Sequence, residues 1–243
     1  MEVVVTEYIK QENTEMHTVN WITKMKTLVL LLLGAIVAQA KDERSYVYEC
    51  RAFADSYFNG VYHDFNEPVP YLDSYDFDNT IESARVTGVW LFYDNVEYNT
   101  YESGMVHYSW GLDYSDTFDG VHNRVSSLRY AGSQLVINEN GYNLYHGTYY
   151  TGKHLYETND IPDLTVFHQD VTSIIIIGQS SWTFCEGTYY TGNCQCLYAT
   201  QYDQNTLHRL DVGFYPTIHD YPVGLSQVMS VHQGCGGGGG RAA

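Results

Sequence analysis

The stretch Tyr145–Gly152 reads YHGTYYTG, and forty residues later Cys185–Gly192 reads CEGTYYTG. The shared pattern is an aromatic, four residues, a second aromatic, one residue, then glycine. Two further copies fit it: FADSYFNG from Phe53 to Gly60, and YDNVEYNT from Tyr93, with Thr100 where glycine is expected. The copy at Cys185 has cysteine in place of the first aromatic. The starts are spaced 40, 52 and 40 residues apart. A period of this size marks stacked structural units, and paired spacing marks two domains of two units.

Each copy predicts a strand, a tight turn and a second strand. Gly60, Gly152 and Gly192 supply the positive φ at which a Cβ would clash. The spaced aromatics are expected to stack over the folded hairpin. A second signal closes each unit: DNTIES (Asp78–Ser83), HNRVSS (His122–Ser127), HQDVTS (His168–Ser173) and LSQVMS (Leu225–Ser230).

Composition sets the class. Tyrosine occurs 24 times in 243 residues, long helix-forming runs are missing, and Gly and Pro fall in short clusters. This is an all-β composition. Of 12 Lys and Arg and 29 Asp and Glu, three and four precede residue 41, which leaves a net charge near −16 for the remainder. That field opposes binding to nucleic acid or to an anionic membrane.

Met25-Lys26, the apolar run TLVLLLLGAIV and Ala38-Gln39-Ala40 form a secretory signal over residues 25–40. Residues 1–24 read as an upstream extension, and no later run is apolar enough to span a bilayer. A secreted chain meets an oxidising compartment, so disulfides are expected. Four of the five cysteines lie between 185 and 235 and suit two bridges of open connectivity, with Cys50 left over. Cys194 and Cys196 with His208 would be the zinc alternative.

The hairpin pattern, closed by (N/D)(N/D)-x-x-(S/T)-S some thirty to forty-five residues later, resembles the βγ-crystallin Greek-key motif. The resemblance covers about residues 46–235, and Trp90 and Trp182, which begin the second and fourth units, support it. It implies an all-β protein of four Greek-key motifs in two sandwich domains, 46–131 and 134–235, with a Gly-rich tail at 236–243. It also implies that Ser83, Ser127, Ser173 and Ser230 bond to the folded hairpins.

The same closing signal is the family's calcium site, built from oxygen ligands that cross between the two units of a domain. Carried onto this sequence, the ligands are Asp78, Asn79, Thr80 and Glu82 in the first unit and Asn123, Arg124 and Ser126 in the second. Thr80 and Arg124 would contribute main-chain carbonyls. Asp170 and Thr172 are the third unit's candidates. His122, His168 and Gln169 replace acids, Glu82 and Met229 replace the hydroxyl, and these departures predict weak Ca2+ binding.

No H-E-x-x-H, nucleophile elbow or phosphate loop is present. The expected function is therefore a secreted, non-enzymatic protein whose partners are calcium ions and an unidentified protein. The alternative is a secreted protease inhibitor or toxin-like binding protein of the same fold. It would act through the Cys185–Cys196 hairpin or the long return Tyr202–Gly224.

Overall fold

The computed structural model describes residues 48–118, 120, 122–167 and 170–236, which fall in one compact unit. The signal segment and residues 237–243 of the Gly-rich tail lie outside the described residues. Thirteen strands are present among them: β1 (Glu49–Asp55), β2 (Asn59–Phe65), β3 (Ser83–Tyr93), β4 (Val106–Thr117), β5 (Ser127–Ala131), β6 (Gly141–Tyr145), β7 (His154–Glu157), β8 (Ser173–Ile177), β9 (Trp182–Cys185), β10 (Cys194–Leu197), β11 (Gln201–Gln204), β12 (Arg209–Tyr215) and β13 (Ser230–Gln233).

All four expected hairpins form, and each is folded by two consecutive non-glycine residues at positive φ. These are Tyr57-Phe58, Glu97-Tyr98, Tyr149-Tyr150 and Tyr189-Tyr190. Gly60, Gly152 and Gly192 follow at φ 78, 75 and 81. The second copy manages without glycine because Asn99 turns left-handed instead, leaving Thr100 at φ −69.

The closing serine holds each hairpin by the same two bonds. Ser83 Oγ accepts from Phe58 N at 3.0 Å and donates to the Asp55 carbonyl at 2.8 Å. Ser127 does so with Tyr98 and Asn95, Ser173 with Tyr150 and Gly147, and Ser230 with Tyr190 and Gly187. The expected aromatic stacking is edge-on: Phe53–Phe58, Tyr93–Tyr98 and Tyr145–Tyr150 have ring centroids 5.9, 5.6 and 5.6 Å apart. In the fourth hairpin, Cys185 takes the first aromatic's place and bridges to its cross-strand partner Cys194, while Tyr190 packs on His232.

The units interlock in pairs. β3 pairs with β1 up to Thr87 and with β5 from Val89 onward, while β4 follows it along its whole length. The change of partner falls at Gly88, φ 97, where a Cβ would stand 2.2 Å from the Tyr48 ring. The first unit's return segment crosses to the second unit's closing strand through the bridge Val69↔Leu128. The second half repeats this. Ile161 of the third unit bridges Val231 on β13, and β12 of the fourth unit joins the sheet β11-β12-β8-β6-β7, beside β10-β9-β13. Much of the long return Tyr202–Gly224 is therefore sheet.

Two apolar cores result, around Trp90 and around Trp182. The first extends into the second half through Tyr145, Tyr150, Ile175, Ile177, Leu210 and Val212. Arg129, fully buried on β5, fastens this joint. Its guanidinium donates to Tyr93 Oη and to the carbonyls of Tyr150 and Gly152 at 2.8, 2.7 and 2.8 Å, and lies over the rings of Tyr93, Tyr98 and Tyr145. Among the described residues no carboxylate bonds to it. Carbonyl dipoles and ring faces stabilise the buried cation instead. His154 Nδ1 accepts from the same guanidinium at 3.3 Å, so the imidazole is neutral. The residue is exposed as a whole, but crowding around the ring and then the Arg129 charge lower its pKa.

Two outcomes follow from this packing. Ser173→Ala leaves the buried Tyr150 N–H without a partner and lowers unfolding free energy by about 1–3 kcal/mol, read by urea melts. Because His154 protonates more readily in the unfolded chain, its contribution is complete above about pH 6.5. It declines as pH falls below that, with a slope well short of the full single-proton value, because the residue is largely open to solvent. A His154→Gln variant should lose stability less steeply across that window; parallel pH profiles would count against the assignment.

Candidate metal centre

The closing loops of the first two units meet through a symmetric pair of main-chain bonds. Asn79 N donates to the Val125 carbonyl and Asn123 N to the Ile81 carbonyl, both at 3.0 Å. Asn79 and Asn123 both adopt left-handed backbone, φ 54 and 55. One residue on, Glu82 N donates to the Phe53 carbonyl and Ser126 N to the Tyr93 carbonyl. Each closing loop is thereby sewn to its own hairpin and to the partner loop. This sets the loop carrying Asp78, Asn79, Thr80 and Glu82 beside the loop carrying Asn123, Arg124 and Ser126, and the two resulting half-sites differ sharply.

The first half-site is already satisfied. Glu82 accepts from Ser56 N and Ser56 Oγ at 2.9 and 2.7 Å and from Asn123 Nδ2 at 2.6 Å. The Ser56 hydroxyl and the Asn123 amide hold its carboxyl below the usual range. Glu82 thus does by hydrogen bonding what a cation would do, and this loop keeps its geometry without metal.

The second half-site is left wanting. Asp78 Oδ2 accepts from Asn79 Nδ2 at 2.7 Å, but Asp78 Oδ1 is buried with no hydrogen-bond partner. Asp94 Oδ2 accepts from Arg124 Nη2 at 2.7 Å, and its Oδ1 is likewise buried without a partner. The Asp94 side chain is only 7% exposed. The two acids are linked through the Val125–Ser126 peptide: its carbonyl holds the residue after Asp78, and its N–H holds the residue before Asp94. Ser126 itself is buried. Carboxylate oxygens withdrawn from water and from donors suit a hard cation. Among the described residues no three His, Cys, Asp or Glu side chains converge, so main-chain carbonyls and hydroxyls would have to complete the shell.

Asp94 escaped the sequence reading. It follows the first aromatic of the hairpin, where the other copies carry Ala54, His146 and Glu186. An acid there was the available signal.

The second half offers less. Thr172 Oγ1 donates to the His146 carbonyl at 2.8 Å, Asp170 is exposed, and His168 and Gln169 lie outside the described residues. Glu186, the acid at the hairpin position of Asp94, is capped by Ser226 N and Oγ at 2.7 and 2.8 Å, which lowers its carboxyl pKa. Met229 is buried.

The cysteines are also accounted for. Cys185–Cys194 and Cys196–Cys235 are disulfides, which removes the zinc alternative at Cys194 and Cys196, and Cys50 is a buried free thiol. Burial pushes the Cys50 thiol up, so it should resist a thiol reagent in the folded protein and react as one equivalent per chain in guanidinium. Any other thiol count would contradict this pairing.

No protein-family model and no curated protein sequence matches the chain. Among solved structures it is similar to geodin, a βγ-crystallin from Geodia cydonium, at 18% identity and TM-score 0.58, over 77% of this chain and 99% of geodin. It also matches a βγ-crystallin from Ciona intestinalis at 21% identity and TM-score 0.31, over 39% of this chain and 99% of that one. Protein S in its calcium complex matches at 13% identity and TM-score 0.29, over 76% and 98%.

Proposed function

From a chain with the βγ-crystallin fold, we propose a secreted, non-enzymatic structural protein that binds calcium at one site in its first half. The observation that carries this is the pair of buried, donor-less carboxylate oxygens on Asp78 and Asp94. A divalent cation there would be held by the two carboxylates, the Ser126 hydroxyl and the Thr80 carbonyl, with water completing the shell. Two acids among neutral oxygens suit weak binding, matched to the abundant calcium outside cells. Secretion is supported by the signal segment and by two disulfides among the chain's five cysteines.

Bound calcium would stabilise rather than catalyse. It would neutralise charge on a protein of net charge near −16 and tie the first closing loop to the second hairpin, raising the melting temperature by mass action.

Calorimetric titration of EDTA-stripped protein tests this. One saturable site is expected, lost in Asp78→Ala and Asp94→Ala and retained in Asp170→Ala. Absence of both saturable heat and a calcium-dependent rise in melting temperature in the parent protein would refute it.

A further inference from the structure

We propose that Arg124 is a tethered stand-in for the cation: its guanidinium occupies the Asp94 carboxylate when calcium is absent and must leave when calcium binds. This rests on the calcium reading above and adds how the site is set and what limits its affinity.

Three arginine–aspartate pairs frame the comparison. Arg51 grips Asp64 at two points, Nε–Oδ1 at 2.6 Å and Nη2–Oδ2 at 2.9 Å. Arg209 likewise reaches Asp211 through Nε and Nη2, and Asn138 supplies a further donor to Asp211 Oδ2. Two-point geometry is the strong form of this pair. Arg124 makes only a one-point contact, Nη2 to Asp94 Oδ2. Its other terminal nitrogen points at Met105 Sδ, 3.8 Å away, a weak acceptor.

Asp94 and Asp211 side chains are equally buried at 7% exposed, yet both Asp211 oxygens are bonded while Asp94 Oδ1 has no partner. A buried carboxylate without any counter-charge is costly. Arg124 relieves that cost in part and leaves one oxygen unclaimed. Its own side chain is 56% exposed, so it can swing into solvent without disturbing the core.

The exchange has a definite consequence. Calcium on Oδ1 and the guanidinium on Oδ2 are like charges on one small carboxylate and disfavour each other, so the apparent affinity is the intrinsic one multiplied by the fraction of chains with Arg124 displaced. Arg124 thereby holds the site in a weak range and keeps Asp94 compensated in the metal-free protein. The same residue that the sequence offers as a carbonyl ligand acts through its side chain as an antagonist.

The test compares the parent protein with Arg124→Gln, and with Lys153→Gln as a control for the equal change in net charge. Calcium chloride is titrated by calorimetry, and melting temperatures are measured in EDTA and in calcium. Arg124→Gln should bind calcium at least about tenfold more tightly, melt lower in EDTA, and gain more from calcium than the parent, while Lys153→Gln tracks the parent. Saturable binding by parent and Arg124→Gln with equal affinity would overturn the stand-in and leave the calcium site intact. Equal tightening in Lys153→Gln would also overturn it, as a net-charge effect. No binding by either the parent or Arg124→Gln would overturn the calcium reading itself.

Discussion

Everything in this fold depends on a serine hydroxyl that holds a hairpin the backbone resists. Each hairpin forces two consecutive side-chain-bearing residues into the left-handed region, at a cost of roughly 1–2 kcal/mol apiece. Each closing serine answers with one accepted and one donated hydrogen bond, each worth about 1 kcal/mol net, and an edge-on aromatic pair adds roughly as much again. The sums are comparable, so no hairpin is stable alone. It exists only once the closing strand, twenty-three to forty-three residues away in sequence, is in place. Hairpin and closing strand therefore form together, which makes each unit a cooperative element.

The arrangement of the closing loops is a consequence of the same stitching. In the first half each closing loop turns left-handed, at Asn79 or Asn123, and bonds across to its partner loop. That exposes a ring of carbonyls and short polar side chains at the crossing. What the ring then does is decided by single residues. Glu82 fills its half-site with its own carboxylate, Glu186 is capped by Ser226, and among the described residues Asp78 and Asp94 are the acids that keep a buried carboxylate oxygen without a partner. Four copies of one architecture thus differ in chemistry, because ligand positions tolerate substitutions that the serine does not.

The joint between halves follows another logic. A buried arginine held by carbonyls and three aromatic rings ties β5 to the third hairpin. It uses Tyr150 twice: the amide is held by Ser173, and the carbonyl is held by Arg129. Hairpin folding and docking of the two halves share a residue, so the third hairpin couples local and tertiary stability.

The sequence by itself determined the all-β class, the four hairpins, their serines and the cysteine inventory, because these rest on local rules: turn chemistry, aromatic spacing and repeat period. Residues such as Gly152 and Ser173 carry their role wherever the motif recurs. The tertiary structure alone decided that Thr100 needs no positive φ, that Arg129 is buried without a carboxylate, and that Cys185 pairs with Cys194. It also decided that Asp94, sixteen residues after Asp78, has its neighbour bonded to the same Val125–Ser126 peptide as Asp78's neighbour. Those facts depend on which side chains meet when loops distant in sequence cross, and burial and proton affinity are set by that meeting, which no spacing along the chain encodes.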